Sequence, residues 1–188
     1  MNDIEANKTT FKKLISDNIH RDGIDDLMNW LETTDFYTAP SSVKYHGAEP
    51  GGLCAHSLGV YECLKVVQED ETDETIALVA LFHDICKVDF YKVSMRNVKD
   101  ESGKWTQMPF YEIDERSIPL GHGEKSMAIL MKYMSLTDEE MCAIRWHMGF
   151  SVTEPLFEKP SMVRAMSKYR LVLKLQNADS QCAFWFNQ

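Results

Sequence analysis

The sequence predicts an all-α fold, a bundle of helices with one β-hairpin inserted into it. Apolar residues recur at the 3.6-residue spacing of amphipathic helices along most of the chain. The segment 90–114 differs, because two extended, β-prone arms flank the turn DESG at residues 100–103. We therefore expect a single domain over residues 1–188, with the hairpin at about 90–114.

The first part, residues 1–45, is expected to contain helices and then a loop. Apolar side chains at helical spacing predict the helices: Phe11, Leu14, Ile15, Ile24, Leu27, Met28 and Leu31. The following stretch DFYTAPSSVKYHGAEPGG contains Pro40, Pro50 and two adjacent glycines, so it is predicted to be a long loop.

The remaining helices are expected at 53–67 and about 74–86 before the hairpin, and at roughly 123–134, 138–148 and 161–186 after it. The helix at 138 begins with the capping box TDEE. In this box the Thr137 side chain is expected to accept a hydrogen bond from the Glu140 N–H, and the Glu140 side chain one from the Thr137 N–H. Gly149 is expected to end the helix.

The composition limits the classes of partner. The chain has 188 residues, 44% of them hydrophobic and 26% charged, as in ordinary globular proteins. Its net charge of −9 argues against a long nucleic acid as partner, although a metal or a lysine could still make one pocket attractive to a small anion. We expect no membrane segment, because no apolar run approaches about 18 residues. The polar N-terminus is unlike a signal peptide, and five cysteines without C-x-x-C spacing indicate reduced thiols and a cytoplasmic location.

Several predicted helices carry a His or an Asp where the apolar pattern expects a hydrophobic residue. The clearest case is ALFHDICKV, residues 80–88, where a His–Asp pair interrupts a run that otherwise resembles core. A single such histidine is more often an ordinary core or surface residue. Four histidines and two aspartates at such positions together argue for a shared metal site, because burying unpaired charge costs several kcal/mol. These residues are His56, His83, Asp84, His122, His147 and Asp179.

The ordered motifs GGLCAHSL, LFHDICKV, GHGEKS, RWHMG and NADSQCA resemble the HD-domain superfamily of metal-dependent phosphohydrolases. The resemblance runs from about His46 to Ala183 and implies an HD-domain helical bundle over residues 46–183. It also implies two divalent ions, chosen from Mn, Fe, Mg, Ni, Co and Zn. In the family's pattern His56, His83, Asp84 and Asp179 would hold one ion, and His122 and His147 the second, with Asp84 bridging. The family usually reads HD-x-G-K, and here Cys86 replaces the Gly.

The function implied by this resemblance is hydrolysis of small phosphate esters by a metal-activated hydroxide, with nucleotides as one class of substrate. Asp84 and Lys87 are the predicted catalytic residues, and His46 and Lys125 the predicted substrate-binding residues. For Lys87 and Lys125 the alternative is a solvated lysine near a helix end, and for His46 a histidine on a loop surface. Two other functions stay open: an HD-type di-iron oxygenase, and a non-catalytic ligand-binding or regulatory domain that contains metal.

The predicted hairpin is rich in aromatic and sulfur-containing side chains. Because it lies between two motifs that carry predicted metal ligands, its base is expected near the metals. It would act as a lid that stacks a nucleobase, or its aromatic face would pack on the helices, and packing is the favoured interpretation. The side chains concerned are Tyr91, Val93, Met95, Trp105, Met108, Phe110 and Tyr111.

Overall fold

The structure, a computed structural model, describes residues 3–44, 47–114, 118–151 and 159–186. Within these ranges the chain is mostly helical, with one two-stranded antiparallel hairpin, as an HD-type helical domain requires. In chain order the elements are α1 (Ile4–Asn18), α2 (Ile24–Leu31), α3 (Gly52–Val66), α4 (Asp73–Phe82), β1 (Tyr91–Lys99), β2 (Trp105–Ile113), α5 (His122–Leu130), α6 (Asp138–Trp146), α7 (Lys159–Lys168) and α8 (Arg170–Gln181). Within the described ranges, no helix is both long enough and apolar enough to cross a membrane.

The core lies where α3 packs against both α4 and α8, and α6 packs against α8 and α4. Every residue of α4 from Ile76 to Phe82 is 0% exposed, so this short helix lies at the centre of the core. The π-helical turn after α8 approaches α3 closely at Gly59, where a Cβ atom would lie 2.5 Å from Sγ of Cys182, so a larger residue at Gly59 would displace this turn.

The hairpin agrees with the prediction for 90–114. Tyr91 pairs with Ile113 and Lys99 with Trp105. The Asp100 carboxylate closes the turn by accepting hydrogen bonds from the backbone N–H groups of Ser102 and Lys104, at 2.9 and 3.0 Å.

The side chains of the hairpin do not pack on the helices in the way that was favoured from the sequence. Val93, Met95, Trp105 and Met108 are 50–63% exposed. Three aromatic residues are half-buried, namely Tyr91, Phe110 and Tyr111. The four exposed side chains therefore contradict the packing interpretation and leave an apolar surface available to a ligand or partner, whereas three of the four aromatic side chains are partly covered.

The predicted helix 161–186 is two helices, α7 and α8, followed by a π-helical turn at Cys182–Phe186. Tyr169 separates them, with an extended backbone at φ −125° and ψ 110°. No Gly or Pro marks the break, and an aromatic residue adopts extended backbone readily. Tertiary packing therefore overrides local helix propensity at this residue.

The helix predicted for 74–86 ends earlier, at Phe82, and Ile85–Lys87 form a separate 3-10 turn. The cause is the side chain of His83. Its Nδ1 lies 2.8 Å from the carbonyl oxygen of Ala80, the acceptor that the next backbone N–H of a continuing helix would use. The His–Asp pair therefore stands at a helix end, where side chains are freer to converge.

Candidate metal centre

The structure brings all six predicted ligand side chains into one cluster. Each comes from a helix or from the first two residues after one. His56 is in α3, His83 and Asp84 follow α4, His122 opens α5, His147 follows α6 and Asp179 is in α8. Four of them are 0–2% exposed, namely His56, His83, Asp84 and His147.

Asp84 lies at the centre of the cluster, and its two carboxylate oxygens face different histidines. Oδ2 is 3.6 Å from Nε2 of His56 and 3.5 Å from Nε2 of His83. Oδ1 is 2.5 Å from Nε2 of His122 and 3.5 Å from Nε2 of His147. The carboxylate thus separates two histidine pairs, one at each oxygen.

Asp179 adds a second carboxylate to the first histidine pair, His56 and His83. Its Oδ1 is 3.0 Å from Nε2 of His56 and 3.9 Å from Nε2 of His83. The two imidazoles present these same nitrogens to each other at 3.3 Å. Three donor atoms, from His56, His83 and Asp179, therefore lie close enough together to share one ion.

Backbone carbonyls orient two of the rings. Nδ1 of His83 contacts the carbonyl of Ala80, and Nδ1 of His147 contacts the carbonyl of Ile144 at 2.7 Å. A carbonyl oxygen only accepts hydrogen bonds, so Nδ1 carries the proton in each ring. The unprotonated Nε2 then points into the cluster, as a metal-binding imidazole requires.

The second pair depends on a close approach between α5 and the end of α6. A Cβ atom at Gly123 would lie 2.2 Å from the carbonyl oxygen of Arg145, so only glycine permits this contact. The approach places the His122 ring beside that of His147, with 5.3 Å between the centroids.

The histidines differ in protonation. Burial opposes protonation of His56, but hydrogen bonding to Asp179 and Cys182 raises its pKa to about 9. Burial also opposes protonation of His122, but the charge of Asp84 raises its pKa to about 10. For His83 burial dominates and lowers the pKa to about 3, so this ring is neutral.

The two carboxyl groups are ionised. Burial would raise the pKa of Asp84, but the charge of Lys87 and those of the neighbouring imidazoles hold it well below its usual range. For Asp179, burial is likewise outweighed by the hydrogen bond with His56, and its pKa is lowered. Two carboxylates, the buried Asp84 and the partly exposed Asp179, thus face each other's histidines. At pH 7 the protonated His56 and His122 and the ammonium of Lys87 balance their charge, so a metal ion would bind as the imidazoles release their protons.

The donor set fits divalent metal. Among the described residues, Nε2 of His147 is buried without a hydrogen-bond partner, although it lies 3.5 Å from a carboxylate oxygen. Unsatisfied buried nitrogens are rare, and an imidazole lone pair that faces a carboxylate is suited to a shared cation. Imidazole and carboxylate together suit Zn, Fe, Mn, Co and Ni.

Of the other predicted site residues, one lysine lies in the cluster, one lies over an aromatic ring, and the histidine is not described. Nζ of Lys87 is 2.5 Å from Oδ2 of Asp84, so this lysine belongs to the cluster and is not a solvated helix end. Nζ of Lys125 lies over the ring of Phe90, 4.8 Å from its centroid. His46 lies outside the described residues.

Cys86 is a member of the cluster that was treated in the sequence only as a departure from the family pattern. Its Sγ lies 3.4 Å from Nδ1 and 3.6 Å from Nε2 of His122. In the sequence, a cysteine among apolar residues is typical of a hydrophobic core, so the position of Cys86 beside His122 was not predicted. Its position two residues after Asp84 was the sequence signal that could have indicated its place in the cluster.

Comparison with known proteins gives one family. The family model described as HD domain matches residues 53–182, which includes all six clustered His and Asp residues. No match was found among curated proteins or among solved structures. The matched range and the buried His and Asp cluster agree, and the chain therefore belongs to the HD-domain family, whose members are generally metal-dependent phosphohydrolases.

Proposed function

We propose that this chain is a phosphohydrolase that uses two divalent ions and acts on small phosphate esters. One observation carries the proposal: each oxygen of Asp84 faces its own pair of histidines. A carboxylate in this position suits a bridge between two ions. His56, His83 and Asp179 would hold one ion, and His122 and His147 the other.

When bound, the two ions would supply charge stabilisation to a phosphate and lower the pKa of water. Side chains of the protein would position the ions and contact the substrate. Asp84 would fix the separation of the two sites. Lys87, whose charge now neutralises Asp84, would be free to contact a phosphate oxygen once other positive charge is present.

A cleft beside the hairpin supports a substrate with an aromatic part, such as a nucleotide. It has a volume of about 700 Å³ and is lined by Lys44, Arg96, Phe110 and Tyr111, among others. The guanidinium of Arg96 lies over the ring of Phe110, 5.4 Å from its centroid. Aromatic faces stack on nucleobases, and cationic groups attract phosphate.

The test is a panel of nucleotides and sugar phosphates, assayed for phosphate release with Mn²⁺, Mg²⁺, Fe²⁺, Co²⁺ or Ni²⁺ supplied. We expect release from at least one substrate, and its loss in Asp84→Asn, which keeps the size of the side chain and removes its charge. Phe110→Ala serves as a comparison, because it should raise KM for nucleotides but not for sugar phosphates.

The same preparation distinguishes the alternatives. Absence of phosphate release with every metal, together with oxygen consumption by the iron-loaded protein, would replace the hydrolase by an oxygenase. Absence of both activities in protein that binds metal would indicate a ligand-binding or regulatory domain.

A further inference from the structure

The thiol of Cys86 lies inside the second half of the cluster. Its sulfur, a carboxylate oxygen of Asp84 and a ring nitrogen of His122 all lie within 4.8 Å of one another. Cys86 is 3% exposed. No disulfide involves Cys86, so its sulfur is available as a ligand.

The backbone holds Cys86 in this position. It lies in the 3-10 turn Ile85–Lys87, and its N–H donates a hydrogen bond to Oγ of the buried Ser126, at 3.2 Å. Ser126 is one turn after His122 in α5. The turn that carries the thiol is therefore attached to the helix that carries the imidazole.

The spacing of sulfur and nitrogen suits two ligands of one ion. With Zn–S near 2.3 Å and Zn–N near 2.0–2.1 Å, two ligands at a tetrahedral angle are about 3.5 Å apart. Sγ of Cys86 and Nε2 of His122 are 3.6 Å apart. A second, independent feature also points to a ligand here: Nε2 of His147 is buried and, among the described residues, has no hydrogen-bond partner.

We propose that Cys86 is a thiolate ligand of the ion held by His122 and His147. The proposal rests on the two-ion centre of the proposed function. On binding, the S–H bond breaks, its electron pair forms the sulfur–metal bond, and the proton leaves to solvent. A thiolate favours Zn²⁺, Fe²⁺ and Co²⁺ over Mg²⁺, which prefers oxygen ligands. The residue that replaces the family's glycine would thus set the metal preference of this site.

Cobalt substitution tests the ligand directly, without any assay of activity. The full-length protein is freed of metal, loaded with Co²⁺, and its bound cobalt is measured by elemental analysis. A cobalt–thiolate bond gives a near-ultraviolet charge-transfer absorption that nitrogen and oxygen ligands do not give. We expect this band in the wild type and in Cys142→Ser, a control on the half-buried thiol of α6, and its absence in Cys86→Ser and Cys86→Gly.

Competition between metals is the second measurement. Cys86→Ser should lower the affinity of the second site for Zn²⁺ by at least about tenfold, the lower end of what a lost supporting contact costs. Its affinity for Mg²⁺ should change little.

The outcomes separate this proposal from the proposed function. Wild-type protein that binds cobalt without the charge-transfer band, or a band that persists in folded Cys86→Ser, overturns the thiolate and leaves the two-ion centre intact. Wild-type protein that binds no cobalt overturns both. Because the wild-type spectrum alone can refute the proposal, a variant that fails to fold does not protect it.

Discussion

Metal binding should release protons, and the number follows from the charge states in the cluster. At pH 7 both His56, with a pKa raised to about 9, and His122, with a pKa raised to about 10, carry a proton on a ring that metal would need. His83, with a pKa lowered to about 3, has none to lose. Filling the centre at pH 7 should therefore displace about two protons per chain from the imidazoles, besides the one that the Cys86 thiol would lose as a proposed ligand.

Displacing these protons opposes metal binding by a large free energy. One pKa unit corresponds to about 1.4 kcal/mol, and pH 7 lies two units below the pKa of His56 and three below that of His122. Removing both protons then costs about 7 kcal/mol of the intrinsic binding free energy. Since a raised pKa favours the protonated form until the pH reaches it, the two imidazole protons should make the overall affinity of protein without the Cys86 thiol rise by about a hundredfold for each pH unit between 6 and 8.

Calorimetric titration of metal-free Cys86→Ser protein, in two buffers of different ionisation enthalpy, measures the protons released by the imidazoles alone, because this variant has no thiol proton to lose; His122→Gln is added to the same background. His122→Gln is the matched variant: release should fall to about one proton and the pH dependence to about tenfold per unit. Affinity that does not vary with pH, or a release near zero in the Cys86→Ser protein, would refute the charge states derived for the cluster.

Further predictions concern stability and catalysis. Chelation should lower the melting temperature, because metal stabilises only the folded form, and an unchanged curve after verified removal would contradict the site. Asp84→Ala should lower phosphate release by more than about a hundredfold, whereas His122→Ala should lower activity and lose one of two ions in elemental analysis. Lys87→Ala should raise KM more than it lowers kcat in steady-state kinetics; the reverse would argue against phosphate binding by this lysine. Arg21→Met should lower the free energy of unfolding in urea by about 3–5 kcal/mol, because Glu140 is fully buried and paired with Arg21 at 2.9 Å. Lys13→Met, which breaks the exposed pair with Asp17, should cost less than about 1 kcal/mol, and equal losses would refute that difference.

Local chemistry explains what the sequence predicted well. The turn DESG carries its own hydrogen-bonding side chain, Asp100, so the hairpin could be placed without its surroundings. The capping box is equally local: the Glu140 N–H donates to Thr137 Oγ1 at 3.2 Å, and the Thr137 N–H donates to Glu140 Oε2 at 2.9 Å. The clustered His and Asp residues could be recognised because each interrupts an apolar stripe. Their roles as metal ligands stay a prediction.

The features that were not predicted from the sequence depend on contacts in the folded structure. The break at Tyr169 has no glycine or proline to mark it. The early end of α4 results from a side chain, His83, that takes a backbone acceptor. Cys86 looked like core because its neighbour His122 lies 36 residues further along the chain and meets it only in the folded structure.

The hairpin leaves and re-enters the helical body through one pair of facing residues, Tyr91 and Ile113. Lys87 precedes this pair and His122 follows it. Strands can therefore lengthen or shorten in matched steps beyond the pair without moving either residue. Under the proposed function, recognition and chemistry would be separable in this architecture: exchanging residues 92–112 for another hairpin would be a route to new substrates that leaves the His and Asp cluster in place.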